Sequence, residues 1–174
     1  MKKLWKKLLA VTTAVMMAIT LLPAMANATA EDGGSVTIIK NGETENEYLS
    51  GAKFSFYKIA SITNSEGKDW KYTVESAYRT VLNADEKAKN LNELPSSVWE
   101  AKIDDLAAVT NVTATQTSAA SDKNNGGSTG KTELPLGIYL VKETTTPEGY
   151  VASRPFIVSI PSTNNYNNKD AGIE

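Results

Sequence analysis

The sequence predicts a mainly β domain, a sandwich of sheets that carries a helical insertion. Three observations lead there. Runs of β-branched and aromatic residues stand toward both ends of the chain body: VTIIK at 36–40 and AKFSFYKIA at 52–60, then LGIYLVKE at 136–143 and PFIVSI at 155–160. Between these pairs, apolar residues recur at helical spacing. A chain of 174 residues, less any exported leader, has material for one buried core. Strands first and last with helices between them describe a sandwich with an insertion.

The first thirty residues form a separate chemical unit. MKKLWKKLL supplies four lysines, an apolar run extends from Leu8 to Leu22, and AMANATA places small residues at alternating positions. This is the pattern of a secretory signal peptide, with cleavage expected after Ala30 or, second, after Ala28. An uncleaved membrane anchor fits less well, because the run falls short of the ~20 residues that a spanning helix needs and Pro23 breaks it. Export also changes the charge. The full chain has 18 basic and 20 acidic residues; without the four leader lysines the balance is 14 against 20, or −6.

After a polar stretch from Glu31 to Ser35, VTIIK reads as the first strand, and its alternation puts Val36, Ile38 and Lys40 on one face. Asn41 to Ser50 is a polar turn. In the next strand Ala52, Phe54 and Phe56 share a buried side, and Lys58 falls on the same parity. From Asp69 to about Val112 the spacing is helical. Val74, Ala77, Tyr78, Val81 and Leu82 form one apolar stripe; Val98, Trp99, Ile103, Leu106 and Ala107 form another. The two helices part near Leu94 and Pro95, with Ser97 a candidate cap. Asp104 and Asp105 read as a solvated face. Thr113 to Lys131, with its NNGGSTG, reads as a mobile surface loop. Two strands follow, Leu136 to Glu143 after an LPLG turn and Pro155 to Ile160, ahead of an Asn-rich tail.

Composition removes several function classes. The acidic mature chain lacks the clustered cations that nucleic acid requires. There is no histidine and no cysteine, which excludes Ser-His and Cys-His nucleophile pairs, the commonest zinc ligands and disulfide staples. The Asn-rich tail has only Asp170 as a carboxylate before Glu174, a poor set for calcium. No metal or cofactor is expected, and no freestanding enzyme. A carbohydrate-acting mechanism on two carboxylates has no supporting motif.

One pair of residues stands out on parity alone. In the strand that ends at Glu143, Tyr139, Val141 and Glu143 alternate with Leu140 and Lys142, and the bulk of Tyr139 and Val141 marks their face as the buried one. A carboxyl group carried inward with them must be protonated or paired, since an isolated buried charge is costly. Lys40, on an independent strand, is an inward amine with the complementary need. Burial favours the neutral, nucleophilic form of an amine. A neutral amine beside a protonated acid in a dry core is what amide formation requires, if an Asn or Asp side chain stands next to them. The plainer readings are an edge-strand lysine and a solvent-exposed strand end. Lys58 reads more simply as a strand-terminal surface lysine, and Tyr150 as a packing or corner hydrogen-bonding residue.

YLVKETTTPEGY, from Tyr139 to Tyr150, closely resembles the E-box of Gram-positive pilins and of collagen-adhesin B-type domains, roughly Y-x-L-x-E-T-x-A-P-x-G-Y; Val141 replaces the leucine and Thr146 the alanine. LSGAKFSFYKI, from Leu49 to Ile59, resembles the L-x-G-A-x-F strand of the same family, and RPFIVSIPSTN, from Arg154 to Asn164, resembles the strand near the end of pilin N-terminal domains. The resemblance implies an immunoglobulin-like sandwich at a Gram-positive cell wall or fimbrium. It also implies an intramolecular isopeptide bond, with Lys40 as the nucleophile and Glu143 as the catalytic acid and base. The partner asparagine of the family lies on a final strand, which is expected beyond Glu174; Asn164, Asn165, Asn167 and Asn168 are weaker candidates within the chain. The W-x-x-x-V-x-V-Y-P-K pilin-lysine context and the L-P-x-T-G sorting signal are not found in these residues, so the chain reads as a fragment or a truncated reading frame.

The expected role is therefore a structural pilin or fimbrial subunit domain. Its implied partners in the full-length protein are other pilin subunits and sortase, with no nucleic acid and no membrane after leader cleavage. The alternative is a surface adhesin or adhesin-stalk domain that binds a host or matrix ligand through the insertion and the loop after it.

Overall fold

Lys40 and Glu143 belong to different sheets. The computed structural model describes residues 15–20, 33–65, 69–82 and 96–160. In one sheet, β1 (Val15–Thr20), β2 (Gly33–Lys40) and β6 (Thr132–Pro135) lie in the order β1-β2-β6, all neighbours antiparallel. In the other, β3 (Lys53–Ser65), β4 (Asp69–Val74), β7 (Gly137–Thr145) and β8 (Phe156–Ile160) lie in the order β4-β3-β7-β8, and the short β5 (Gln116–Thr117) also pairs with β3. The core forms where the inward faces meet: Val36 and Ile38 from the first sheet, Phe54, Phe56, Tyr139 and Val141 from the second, all fully buried. Mainly antiparallel β architecture with few helices is what the sequence predicted.

Alternation governs both key strands. In β2, Val36, Ile38 and Lys40 are buried, while Thr37 and Ile39 are half-exposed. In β3, Ala52 just ahead of the strand and then Phe54 and Phe56 are buried as expected. The parity then breaks: the pairing with β7 shifts register between Lys58 and Ala60, so Ile59 and Ala60 are both buried. A bulge of this kind re-aims one residue, and Lys58 is left half-buried with its ammonium 5.7 Å from the centre of the Tyr139 ring.

β7 is buried on both faces. Leu140, on the side that alternation assigns outward, is as inaccessible as its neighbours Tyr139 and Val141. The reason is the helical insertion, which packs on that side: helix α2 (Ser96–Ala108), counted after a short α1 (Arg79–Leu82), rests against β7 and β8 with Ile103 and Leu106 buried. Lys142 lies along this contact, its amine 4.8 Å from the Tyr57 ring centre and donating to the Ala107 carbonyl at 3.4 Å.

Three expectations need correction. The helical insertion does not begin near residue 70: Asp69–Val74 is strand β4, paired with β3 from Ala60↔Val74 to Ser65↔Asp69. DWKYTV alternates with period two, and only a 3₁₀ turn at Ser76–Tyr78 running into α1 is helical there, which leaves Ala77 exposed. Ser97 is not a cap, since α2 already includes Ser96; the break near Leu94 and Pro95 lies outside the described residues. Nor is 113–131 a free surface loop. Thr115, Ser118 and Ser121 donate their amides to the carbonyls of Phe56, Phe54 and Ala52, and Thr129 donates to Ile38. The hydroxyls of Ser118, Ser121 and Thr129 accept from the amides of Phe54, Ala52 and Ile38. A segment of small polar residues thus serves as an extra edge for both sheets, because its hydroxyls satisfy backbone groups that a buried position would leave unpaired.

Part of the expected leader is described as well. Val15–Thr20 pairs along β2 from Val15↔Lys40 to Thr20↔Ser35. The expected cleavage positions, Ala28 and Ala30, lie outside the described residues.

Candidate functional site

Lys40 is the last residue of β2, and three backbone contacts hold it there. Its amide donates to Gly127 O at 2.9 Å, its carbonyl accepts from Leu49 N at 2.9 Å, and Gly127 packs directly against it. Gly127 has φ +71, and a Cβ there would stand 2.5 Å from the Lys40 carbonyl oxygen. Only glycine allows the turn after residues 123–125 to come this close. With its backbone clamped and its parity inward, the Lys40 side chain can only cross the core.

On the far side it meets Glu143. The Lys40 Nζ lies 2.7 Å from Glu143 Oε2, and both side chains are completely shielded from solvent. Glu143 enters this interior opposite Phe54 in the β3–β7 ladder, and the Phe54 ring meets Phe156 edge to face at 6.5 Å. The surroundings are therefore apolar, where two charges attract strongly but are costly to desolvate.

A third residue completes the cluster. After β7 the chain turns through TPEGY, where Gly149 takes φ +84, and returns toward β8. This return brings Ser153 back onto Glu143. The Ser153 amide donates to Oε2 at 2.7 Å and its hydroxyl donates to the same oxygen at 2.6 Å, while the hydroxyl accepts from Lys40 Nζ at 2.8 Å. Oε2 thus receives three donors. Oε1 of the same carboxyl group is buried with no partner among the described residues. A buried acceptor without a donor is costly, and it marks the side of the carboxyl group on which a further polar group would be accommodated.

Parity placed Lys40 and Glu143 inward, and the structure brings them into contact. Ser153 was missed: it lies in a connection, where alternation carries no information, and only the tightness of the TPEGY turn hints that the chain comes back. The candidate partners Asn164, Asn165, Asn167 and Asn168 lie outside the described residues. Tyr150 makes a corner hydrogen bond, its hydroxyl donating to Glu47 Oε1 at 2.9 Å, while Glu47 Oε2 accepts from the amides of Glu43 and Thr44. Asp104 is exposed, with Arg154 3.3 Å away. Among the described residues no cluster of acidic side chains could hold a metal ion, and no helix is long and apolar enough to cross a membrane.

Compared with protein families, residues 34–172 match the SpaA prealbumin-like fold domain. No curated protein and no solved structure matches.

Proposed function

Since the chain belongs to the SpaA prealbumin-like fold domain family, we propose that it is a structural domain of an exported Gram-positive surface protein, a pilin subunit domain, stabilised by an isopeptide bond that Lys40 and Glu143 form without another enzyme. The observation that carries this reading is the solvent-free contact of Lys40 Nζ with Glu143 Oε2 at 2.7 Å, beside a second carboxyl oxygen that has no donor among the described residues. A buried ion pair is weak evidence of stabilisation, since apolar residues often serve as well. Its chemistry gives a better reason for its presence.

Lys40 and Glu143 stand in contact for their parts in the reaction, and the asparagine would come from outside the described residues. Lys40 passes a proton to Glu143, and the neutral amine attacks the side-chain carbonyl carbon of an asparagine. The amide C–N bond of that asparagine breaks as a new C–N bond forms to Nζ. Lys40 gives up two protons in all: one reaches the leaving nitrogen through Glu143, and the other remains on the carboxyl group. One ammonia departs. The apolar walls exclude water that would otherwise compete with the amine.

A bond from Lys40 to a strand beyond Glu143 closes a loop of more than a hundred residues. By the chain-entropy formula used for disulfides this is worth about 4 to 5 kcal/mol. The chain has no cysteine, so such a link would serve where a disulfide cannot. In the full-length protein the partners would be other pilin subunits and a sortase, at the cell wall. The test is the intact mass of the full-length protein purified after export: a mass lower than the leader-free sequence by one ammonia, restored to the sequence value in Lys40→Ala and Glu143→Ala. A parent at the uncorrected sequence mass would refute the bond and leave the fold family standing.

A further inference from the structure

The mechanism above uses Lys40 and Glu143, yet the carboxyl group receives more hydrogen bonds from Ser153 than from the lysine. Two of the three donors on Oε2 belong to Ser153, and the hydroxyl also accepts from Nζ, so Nζ, Oγ and Oε2 form a closed triangle with sides of 2.8, 2.6 and 2.7 Å. Serine has one hydroxyl proton. With that proton given to Oε2, the Oγ lone pairs face the lysine, and each of the three atoms has a defined role.

We propose that Ser153 is a positioning residue for isopeptide formation: it fixes the Glu143 carboxyl group so that Oε2 faces Lys40 and Oε1 faces the incoming carboxamide. This rests on the isopeptide reading. A carboxyl group held by the lysine alone could rotate and present either oxygen to the amine. The two Ser153 donors, coming from one residue at 2.7 and 2.6 Å, remove that freedom. They leave Oε1 buried and, among the described residues, unpartnered, free to accept a hydrogen bond from an N–H of the carboxamide and so to hold that group beside Nζ. Orientation of this kind acts on rate, because a misdirected acid or base reduces the fraction of encounters that react. The amide of Ser153 is backbone and survives any substitution, so the hydroxyl is the part that mutation can remove.

The experiment uses the full-length protein with Ser153→Ala and Ser153→Thr. For each, intact mass gives the unbonded fraction at purification and its decline during incubation, and thermal unfolding with near-ultraviolet circular dichroism reports folding. The expected result is a Ser153→Ala protein that folds like the parent but bonds roughly tenfold or more slowly, with Ser153→Thr restoring most of the rate. Bonding of Ser153→Ala at the parent rate overturns the positioning role and leaves the isopeptide reading intact. So does slow bonding in both variants with loss of folded signal, which assigns Ser153 to structure alone. A parent that never loses ammonia overturns both proposals together.

Discussion

Lys40 and Glu143 are 103 positions apart in the chain, on different sheets, and their charged atoms meet at 2.7 Å with no solvent access. The contact requires both strands to be in register with their own sheets, since a slip of one residue in either would turn its side chain outward.

The coupling between them can be read without reference to any covalent bond. Lys40→Met leaves a buried carboxylate with Ser153 as its remaining donor among the described residues and is expected to cost about 3 to 5 kcal/mol beyond the loss of the covalent bond, as is usual when one partner of a buried pair is removed. Glu143→Leu strands the amine in the same way. The double variant Lys40→Met/Glu143→Leu should be more stable than either single one in urea denaturation. None of the three can form the isopeptide bond, so the comparison isolates the ion pair. A double variant no more stable than the singles would mean that the two groups are not coupled.

Gly127 and Gly130 both have φ +71, but only Gly127 lies against Lys40; a Cβ at Gly130 would meet nothing within 4 Å. Alanine at either site carries the left-handed backbone penalty of about 1 to 2 kcal/mol. Gly127→Ala must also push the Lys40 carbonyl away, so it should lose more stability than Gly130→Ala and lower the bonded fraction seen by mass. Equal effects at the two glycines would show that the close approach does not position the lysine.

The Tyr150 hydroxyl on Glu47 joins the turn after β2 to the end of the TPEGY turn. That hydrogen bond, followed by those from Thr44, holds the Glu47 carboxyl group below its ordinary value of 4.5, and the same contact raises the Tyr150 hydroxyl above 10.0. The depressed carboxyl group contributes stability that is present above about 4.5 and lost as pH falls through the folded value. The raised hydroxyl contributes below 10.0 and is lost as pH climbs past it. In Tyr150→Phe the Glu47 titration, followed by carboxyl-carbon NMR, should move up toward 4.5. An unmoved midpoint would show that the corner hydrogen bond is not formed in solution.

Much of this was legible in the chain and some was not, for physical reasons. Period-two alternation identified the inward residues of β2 and β7, including the two polar ones, because a strand has only two faces and bulky neighbours mark the buried one. It also made the mainly β class plain. In DWKYTV the alternation is present but short and runs straight into helically spaced residues, and its ladder to β3 is what makes it a strand. Alternation could not show that residues 113–131 dock on both sheets: serine and threonine read as loop formers until a neighbouring backbone needs their hydroxyls. Ser153 lay further out of reach, since a residue in a connection has no periodicity, and its contact with Glu143 depends on how the chain folds back through TPEGY. The sequence by itself determined which side chains turn inward, through local sterics and burial. Only the tertiary structure decided which of them meet, because that depends on two sheets packing face to face and on a turn that returns one hydroxyl to a buried carboxyl group.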